Sequence, residues 1–480
     1  MLGKWRQWQT AVAASFGSLV TGIIYTWPSY TLSQYTAANT TLLSSPLTEM
    51  QSSLLGSLPP LGAMIGTFIV GFVINTFGRK NGSLALTIPF VLSWAMIEIF
   101  TSPIVILIAR FLGGIAGGAN LVYGPMYISE IAEVSIRGAL ASAPVTFYCF
   151  GVLFSYILGW LFSYRFIIWI NLALSIFSMF LFMIIVESPV FLLKKNKEQE
   201  AQRAIAHYRG KSISSKIVLE EFSRLKQKVL PATELLAVNV SESKADLAEK
   251  EKLNIEDAPS EVPQAASSWK VLLYSTAPRR AFFIIMTGMT MQVLMGMVAV
   301  QVYAKEIFSR AAPKLSGHVC SVLFAVVLTV GCLTSAGLAD RAGRRFLIIT
   351  SSVCVGVCMC SLGVLVQTSI APPWVTAMML LFFCFSFNLG SGSIPYVLLA
   401  ECFTPEVQSL ASTLIIEWVW FLNFFIIGVF PFMNKFLGVH GSFYFFSCLG
   451  FANSIIAYFI VPETKGLSLD KIQERLLRQK

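Results

Sequence analysis

Two short turns, NTFGRK at residues 75–80 and DRAGRR at residues 340–345, each place a glycine and a cation between two long apolar runs. Glycine permits a backbone conformation and a close approach that a Cβ would hinder. The arginine that follows stands where a carboxylate or a helix C-terminus can hold it. Each turn therefore predicts a tight joint between two helices, and its recurrence predicts an internal duplication.

The composition places these helices in a lipid bilayer. Of the 480 residues, 55% are hydrophobic and 12% are charged, and the mean hydropathy is +0.70, whereas soluble proteins carry about 25% charged residues. A net charge of +10 would suit a nucleic-acid partner, but 16 of the 35 Lys and Arg residues lie in the polar stretch 187–280. Cytoplasmic cation bias explains this distribution better. We predict a polytopic membrane protein without a nucleic-acid partner.

Twelve apolar segments approach the length of about 20 residues that a helix needs to cross a bilayer. The first follows an N-terminus without a small-residue cleavage site, so we interpret it as a retained span rather than a signal peptide. Six segments precede the polar stretch and six follow it. The predicted spans are 10–31, 53–75, 82–101, 104–126, 139–162, 166–186, 280–303, 317–339, 346–368, 373–400, 409–433 and 441–461.

The cation distribution predicts the orientation of the chain. An even number of spans puts both termini on one side of the membrane. If that side is the cytoplasm, 29 of the 35 Lys and Arg residues are cytoplasmic, five lie in outer loops, and Arg110 lies within a span. We therefore predict that both termini are cytoplasmic. We also expect the protein in the plasma membrane. The outer loop 32–52 then contains a glycosylation acceptor at Asn39, whereas the acceptor at Asn239 would be cytoplasmic and silent.

Three pairs of motifs recur in the same order in the two halves. Besides the turns, GPMYISE and SIPYVLLAE end spans 4 and 10, and VESPVF and PETKGL follow spans 6 and 12. Such repeats are typical of transporters that bind their solute between the halves near the midplane. We predict an N-terminal six-helix bundle (1–190), a cytoplasmic helical segment with a flexible linker (191–269), and a C-terminal six-helix bundle with a cytoplasmic tail (270–480).

Nothing in the chain indicates a metal site, a cofactor or an enzyme's nucleophile. The nine cysteines lie mostly within apolar spans, where buried small hydrophobic residues are the simpler interpretation. Neither they nor the three histidines show the spacing of metal ligands. The sequence therefore predicts no metal, no cofactor and no enzymatic activity.

Six motifs occur in order along nearly the whole chain. They are RFLGG at 110–114, PMYISEIAEVSIRGAL at 125–140, VESPVFLL at 186–193, GLADRAGRR at 337–345, GSGSIPY at 390–396 and VPETKGLSL at 461–469. This ordered set resembles the motifs of the sugar porter family of the major facilitator superfamily. SFGSLVTGIIYTWPSYTL at 15–32 is the main similarity to insect facilitated trehalose transporters.

The resemblance implies an all-α fold of twelve transmembrane helices. It also implies facilitative transport of a small-molecule sugar, trehalose or a hexose, by alternating access, for which a monomer suffices. A sugar sensor with little transport and a transporter of a non-sugar solute remain alternatives.

The same resemblance implies a cytoplasmic gate in which acids at helix ends pair with arginines from the turns. When the cavity faces outward, the resemblance implies one network of Glu130 with Arg137, Arg79 and Arg344, which must break in the inward-facing state. The residues alone also fit cations placed beside cytoplasmic helix ends. Asn75 and Thr76 replace the charges of the second turn, which predicts a looser first half of this gate. The gate residues are Arg79, Glu130, Arg137, Glu187, Arg341, Arg344, Glu401 and Glu463.

Three positions lack a cation that the family usually has there, namely Thr76, Val190 and Gln408. Fewer charges weaken the lock that closes the cytoplasmic side. We therefore predict a bias toward inward-facing conformations.

A sugar pocket needs a few hydrogen-bonding side chains and an aromatic platform in an apolar site. For each polar residue alone, contact between helices explains its presence equally well. Val145, Val293 and Val298 stand where the family has amides, so the resemblance implies weak hexose affinity or a less polar solute. The candidate pocket consists of Gln292, Asn388, Tyr396, Trp420 and Asn423, with Thr146 and Gln301 nearby.

Coupling to protons is not expected. Val20 stands where proton-coupled sugar porters carry an aspartate in span 1. Glu417 in span 11 is the one remaining acid available for proton coupling. Structural pairing, or a position facing a polar crevice, explains it more simply. We predict facilitated diffusion.

Overall fold

A computed structural model describes residues 2–133, 135–229, 268–467 and 469–478 of the chain, and every regular element in this part is a helix. The helices are α1 (Leu2–Thr26), α2 (Pro28–Tyr35), α3 (Glu49–Ile99), α4 (Pro103–Ile131), α5 (Arg137–Ala141), α6 (Ala143–Leu161), α7 (Tyr164–Ile184), α8 (Pro189–Lys194), α9 (Glu198–Arg209), α10 (Lys216–Val229), α11 (Ser268–Tyr274), α12 (Thr276–Leu294), α13 (Met297–Val302), α14 (Ala304–Ala311), α15 (Gly317–Ala342), α16 (Arg344–Thr368), α17 (Pro373–Leu389), α18 (Ile394–Glu401), α19 (Pro405–Ile460) and α20 (Leu469–Arg478).

Within the described residues, ten helical segments are long and apolar enough to cross a membrane. Two of them contain two spans each, because a glycine with a non-helical backbone interrupts α3 at Gly78 (φ 93°, ψ 174°) and α19 at Gly438 (φ 71°, ψ 166°). The total of twelve spans confirms the predicted fold class. Six spans precede the polar stretch and six follow it.

The helices of each half pack mainly on one another. In the N-terminal half α3 packs on α4 and α7, and in the C-terminal half α19 packs on α12 and α16. The halves meet where α3 contacts α19 and where α6 contacts α15. These contacts pair span 2 with span 11 and span 5 with span 8, so the seam between the halves follows the predicted duplication.

The polar segment after span 6 contains the short helices α8, α9 and α10. Helix α9 is fixed to the start of the chain, because Gln7 Nε2 donates to the Tyr208 carbonyl (2.8 Å) and Arg6 Nη1 donates to the His207 carbonyl (3.0 Å). Residues 230–267, which include Asn239 and all but the last residue of the predicted flexible linker 231–268, lie outside the described residues. Below, the "termini side" is the end of the bundle that carries α9, α20 and the two turns, and the "loop side" is the opposite end.

Candidate functional site

The first turn is built around the carboxylate of Glu187. Its two oxygens accept hydrogen bonds from the backbone N–H groups of Arg79 (2.7 Å) and Lys80 (3.1 Å). A Cβ on Gly78 would collide with this carboxylate. The backbone of Gly78 also lies in a region of φ and ψ that essentially only glycine adopts. The local fold therefore requires glycine here for two independent reasons.

The Arg79 side chain continues the cluster toward span 4. Its guanidinium donates to both oxygens of Glu130, from Nε (3.0 Å) and from Nη2 (2.6 Å), and Arg79 is 1% exposed. The Ser188 hydroxyl donates to the same carboxylate. This bidentate geometry is the stronger form of an arginine–carboxylate pair. The first turn, the end of span 4 and the segment after span 6 are thereby joined at the termini side.

The second turn repeats this construction. The N–H groups of Arg344 and Arg345 donate to Glu463 (3.0 and 3.1 Å), and Gly343 has φ 91° and ψ 150°. Arg344 Nη2 donates to Glu401 (2.8 Å), and the Thr464 hydroxyl donates to the same carboxylate (2.6 Å). Each member of the first cluster thus has a counterpart in the second, which is the local structure that a duplicated six-helix unit predicts.

Among the described contacts the two clusters are separate in this conformation, and the single network implied for the outward-facing state stays a prediction. Glu130 is engaged by Arg79 and Ser188 of its own half, while Arg344 binds Glu401 of the other half. Arg137 donates to the Ala132 carbonyl (3.2 Å) instead of a carboxylate.

The two clusters also differ in detail. Arg341 is exposed, and its carbonyl accepts from Lys465 Nζ (2.6 Å). Arg79 and Glu130 are less exposed (1% and 11%) than Arg344 and Glu401 (9% and 28%). In the first turn, Asn75 Oδ1 accepts from Arg79 Nη1 (3.3 Å). The looser first half of the gate stays a prediction.

Three of the predicted pocket residues carry buried polar atoms that have no hydrogen-bond partner among the described residues. These atoms are Gln292 Oε1, Trp420 Nε1 and Asn423 Oδ1. The other end of the Gln292 amide is fixed, since its Nε2 donates to the Gly392 carbonyl (2.8 Å). One fixed donor and three unsatisfied atoms can orient a polar ligand between apolar walls.

The remaining predicted residues are placed differently. Asn388 Nδ2 donates to Cys384 O of its own helix (2.8 Å), and the Thr146 hydroxyl donates to Ser142 O (3.0 Å). Tyr396 is 43% exposed. Gln301 links the halves, because its side-chain Nε2 donates to the Tyr148 hydroxyl (2.9 Å) and its backbone carbonyl accepts from the Tyr156 hydroxyl (2.6 Å). For Gln301, contact between helices describes the observed bonding fully.

Two further contacts across the seam were not predicted. The Tyr25 ring stacks on Trp420 with centroids 6.1 Å apart and planes 17° apart, and the buried Tyr25 hydroxyl has no hydrogen-bond partner in the part of the chain that the structure describes. The Thr67 hydroxyl lies 2.6 Å from Glu417 Oε1. Tyr25 lies within residues 15–32, the motif that carries the resemblance to insect facilitated trehalose transporters. This motif is the signal that could have identified Tyr25.

The loop side is closed by contacts between the halves. Glu49 pairs with Lys435 (2.7 Å), and Lys305 N donates to Ser29 Oγ (3.0 Å). A pocket of about 750 Å³ lies at these contacts and is lined by residues of both halves, including Ser29, Glu49, Lys305 and Lys435. It contains none of the predicted sugar-binding residues. The candidate site therefore lies deeper, along the seam next to Tyr25 and Trp420.

Comparison with known proteins agrees with this architecture. Residues 1–476 match the family model described as "Sugar (and other) transporter". The chain belongs to this family. Its fold is similar to the inward open conformation of the xylose transporter XylE from E. coli, with a TM-score of 0.74 at 21% identity over 98% of this chain and 99% of that one. The partially occluded inward open conformation of XylE gives the same TM-score over 96% of this chain and 99% of that one.

Among curated relatives, the facilitated trehalose transporter Tret1 of Drosophila virilis is 27% identical over 98% of this chain and 49% of the relative. The Tret1 protein of Anopheles gambiae is 26% identical over 98% of this chain and 56% of the relative. The chain thus spans about half the length of the curated relatives it matches. These proteins are transporters by name, so the similarity to insect trehalose transporters is confirmed.

Proposed function

We propose that the protein is a facilitative transporter of trehalose or a hexose that works by alternating access. The observation that carries this proposal is the set of unpartnered polar atoms on Gln292, Trp420 and Asn423, next to the Tyr25–Trp420 stack at the seam between the halves. Hydrogen-bonding groups beside an aromatic face suit a sugar, which is polar at its hydroxyls and apolar on the faces of its rings. Membership of the family and the names of the curated relatives support the same substrate class.

The moving parts are proposed to be the N-terminal bundle (1–190) and the C-terminal bundle (270–480), joined by the segment 191–269. Contacts between the halves close the loop side, and the arginine clusters bind within their own halves on the termini side. We assign this arrangement to the inward-facing state, with both termini in the cytoplasm and the protein in the plasma membrane. The reverse motion would bring the two clusters together as the cytoplasmic gate.

Uptake into proteoliposomes tests this function. Purified protein is reconstituted and supplied with radiolabelled trehalose, glucose or fructose in the absence of any ion gradient. The proposal expects saturable uptake of at least one sugar that a protonophore does not change. Binding without uptake would favour a sensor. The absence of both binding and uptake would contradict the sugar assignment.

A further inference from the structure

Glu417 links the two halves in the middle of the membrane-spanning bundle. The Thr67 hydroxyl of span 2 lies 2.6 Å from Glu417 Oε1 of span 11 and 3.0 Å from the Ala63 carbonyl of its own helix. A hydroxyl has one hydrogen to donate. A separation of 2.6 Å is typical of an O–H···O⁻ bond to a carboxylate. Because its contact with Glu417 is the shorter one, the Thr67 hydroxyl donates its hydrogen to Glu417 Oε1.

The second oxygen of this carboxylate has no such partner. Glu417 Oε2 is buried and accepts no hydrogen bond from the described residues. Leaving a buried acceptor unsatisfied is unfavourable, and more so for a charged group. The arrangement therefore favours a ligand that brings hydrogen-bond donors to this oxygen.

The position of Glu417 places that oxygen at the candidate pocket. Glu417, Trp420 and Asn423 are spaced three residues apart, so they form a stripe along one side of span 11. Each of the three carries one buried polar atom without a partner among the described residues. Glu417 Oε2 and Asn423 Oδ1 are acceptors, and Trp420 Nε1 is a donor. Trp420 also stacks on Tyr25 of the other half. Hydroxyl groups can satisfy both kinds of atom, because a hydroxyl both donates and accepts.

We propose that Glu417 Oε2 accepts hydroxyl groups of the transported sugar and thereby determines specificity. This inference rests on the proposed function. The ligand class is a neutral polyol with at least one free hydroxyl at the position that faces span 11. The carboxylate supplies an acceptor in a pocket where Val145, Val293 and Val298 provide no amide. Because Oε1 stays on Thr67, a sugar bound to the C-terminal half contacts the same group that holds the N-terminal half.

The test compares the transported sugar with its monodeoxy analogues. Wild-type protein is expected to take up one analogue with kcat/KM about tenfold lower than the parent sugar, the ratio expected for one bond to a charged acceptor. In Glu417→Gln, the amide nitrogen can replace Oε2 by a donor, while the amide oxygen keeps the Thr67 bond. This variant is expected to raise KM for the parent sugar about tenfold and to transport the parent and that analogue about equally well.

Three controls separate a ligand contact from a structural role. Glu417→Asp keeps an acceptor and is expected to retain the discrimination. Thr67→Val removes the link to the N-terminal half and is expected to change kcat while the discrimination is kept. Thr413→Val is the matched control, because the Thr413 hydroxyl is bonded within the same span 11 helix and exposed. We expect it to behave like the wild type.

The outcomes distinguish this inference from the proposed function. Saturable uptake by the wild type together with wild-type discrimination in Glu417→Gln would overturn the role of Glu417 alone. Loss of discrimination in Thr413→Val would overturn it as well, since a change outside the pocket would then produce the same effect. No saturable sugar uptake by the wild type would overturn the proposed function and this inference together.

Discussion

Arg79 holds Glu130 by two hydrogen bonds at a site where the arginine is 1% exposed. Breaking a buried pair of this kind leaves a buried charge without compensation, which costs about 3–5 kcal/mol. We expect Arg79→Ala to lower the thermal unfolding midpoint of the purified protein clearly. Lys435→Ala is the control, because the Lys435–Glu49 pair is 60–69% exposed and such pairs are worth about 0–1 kcal/mol. Equal midpoints for the two variants would contradict the assigned importance of the Arg79 cluster.

Substitution of either turn glycine by alanine is expected to destabilise the protein by about 1–3 kcal/mol. Both glycines have a positive φ, and a Cβ at either position would meet a carboxylate, Glu187 at Gly78 and Glu463 at Gly343. Thermal unfolding of Gly78→Ala and Gly343→Ala measures the effect. Gly71→Ala is the control in the same helix as Gly78, since nothing lies within 4 Å of a Cβ there. Measured relative to Glu187→Ala alone, Gly78→Ala in that background is expected to lose the part due to collision with the carboxylate and to keep the part due to φ.

Cys149 and Cys332 lie on opposite halves with their sulfur atoms 3.8 Å apart. Oxidation to a disulfide is expected to lock the observed conformation and to block uptake, with recovery after reduction by dithiothreitol. Cys332→Ser is expected to make uptake insensitive to the oxidant. Full uptake by a quantitatively cross-linked protein would contradict relative movement of spans 5 and 8 during transport.

Asn39 is exposed in the loop between α2 and α3. With cytoplasmic termini this loop is extracellular, so we expect Asn39 to carry an N-linked glycan in a eukaryotic host. Treatment with a glycosidase should increase gel mobility of the wild type and of Asn239→Gln, and leave Asn39→Gln unchanged. A glycan that persists in Asn39→Gln and disappears in Asn239→Gln would reverse the proposed orientation.

Much of the fold follows from local sequence patterns. The apolar runs specify the spans, and glycine in the repeated turns specifies the joints at Gly78 and Gly343. The resemblance named Glu187 and Glu463 only as gate acids, whereas in the structure each accepts backbone N–H groups of its turn.

Contacts across the seam were harder to predict. Thr67 and Glu417 are 350 residues apart and each is a lone polar residue in an apolar span, so periodicity gives no indication of the partner. Gln301 shows the converse difficulty, since its polar side chain suited a ligand contact but binds Tyr148. The single network around Glu130 stays a prediction for the outward-facing state, because a pattern of charges does not specify the conformation in which they meet.

Entrance counterflow tests the central claim most directly. Proteoliposomes are loaded with unlabelled sugar and diluted into a trace of labelled sugar without any ion gradient. A carrier that alternates around one site accumulates label transiently above equilibrium, and Glu417→Gln should show a smaller overshoot at the same sugar concentration. Saturable binding of labelled sugar without any overshoot in the wild type would contradict transport by alternating access.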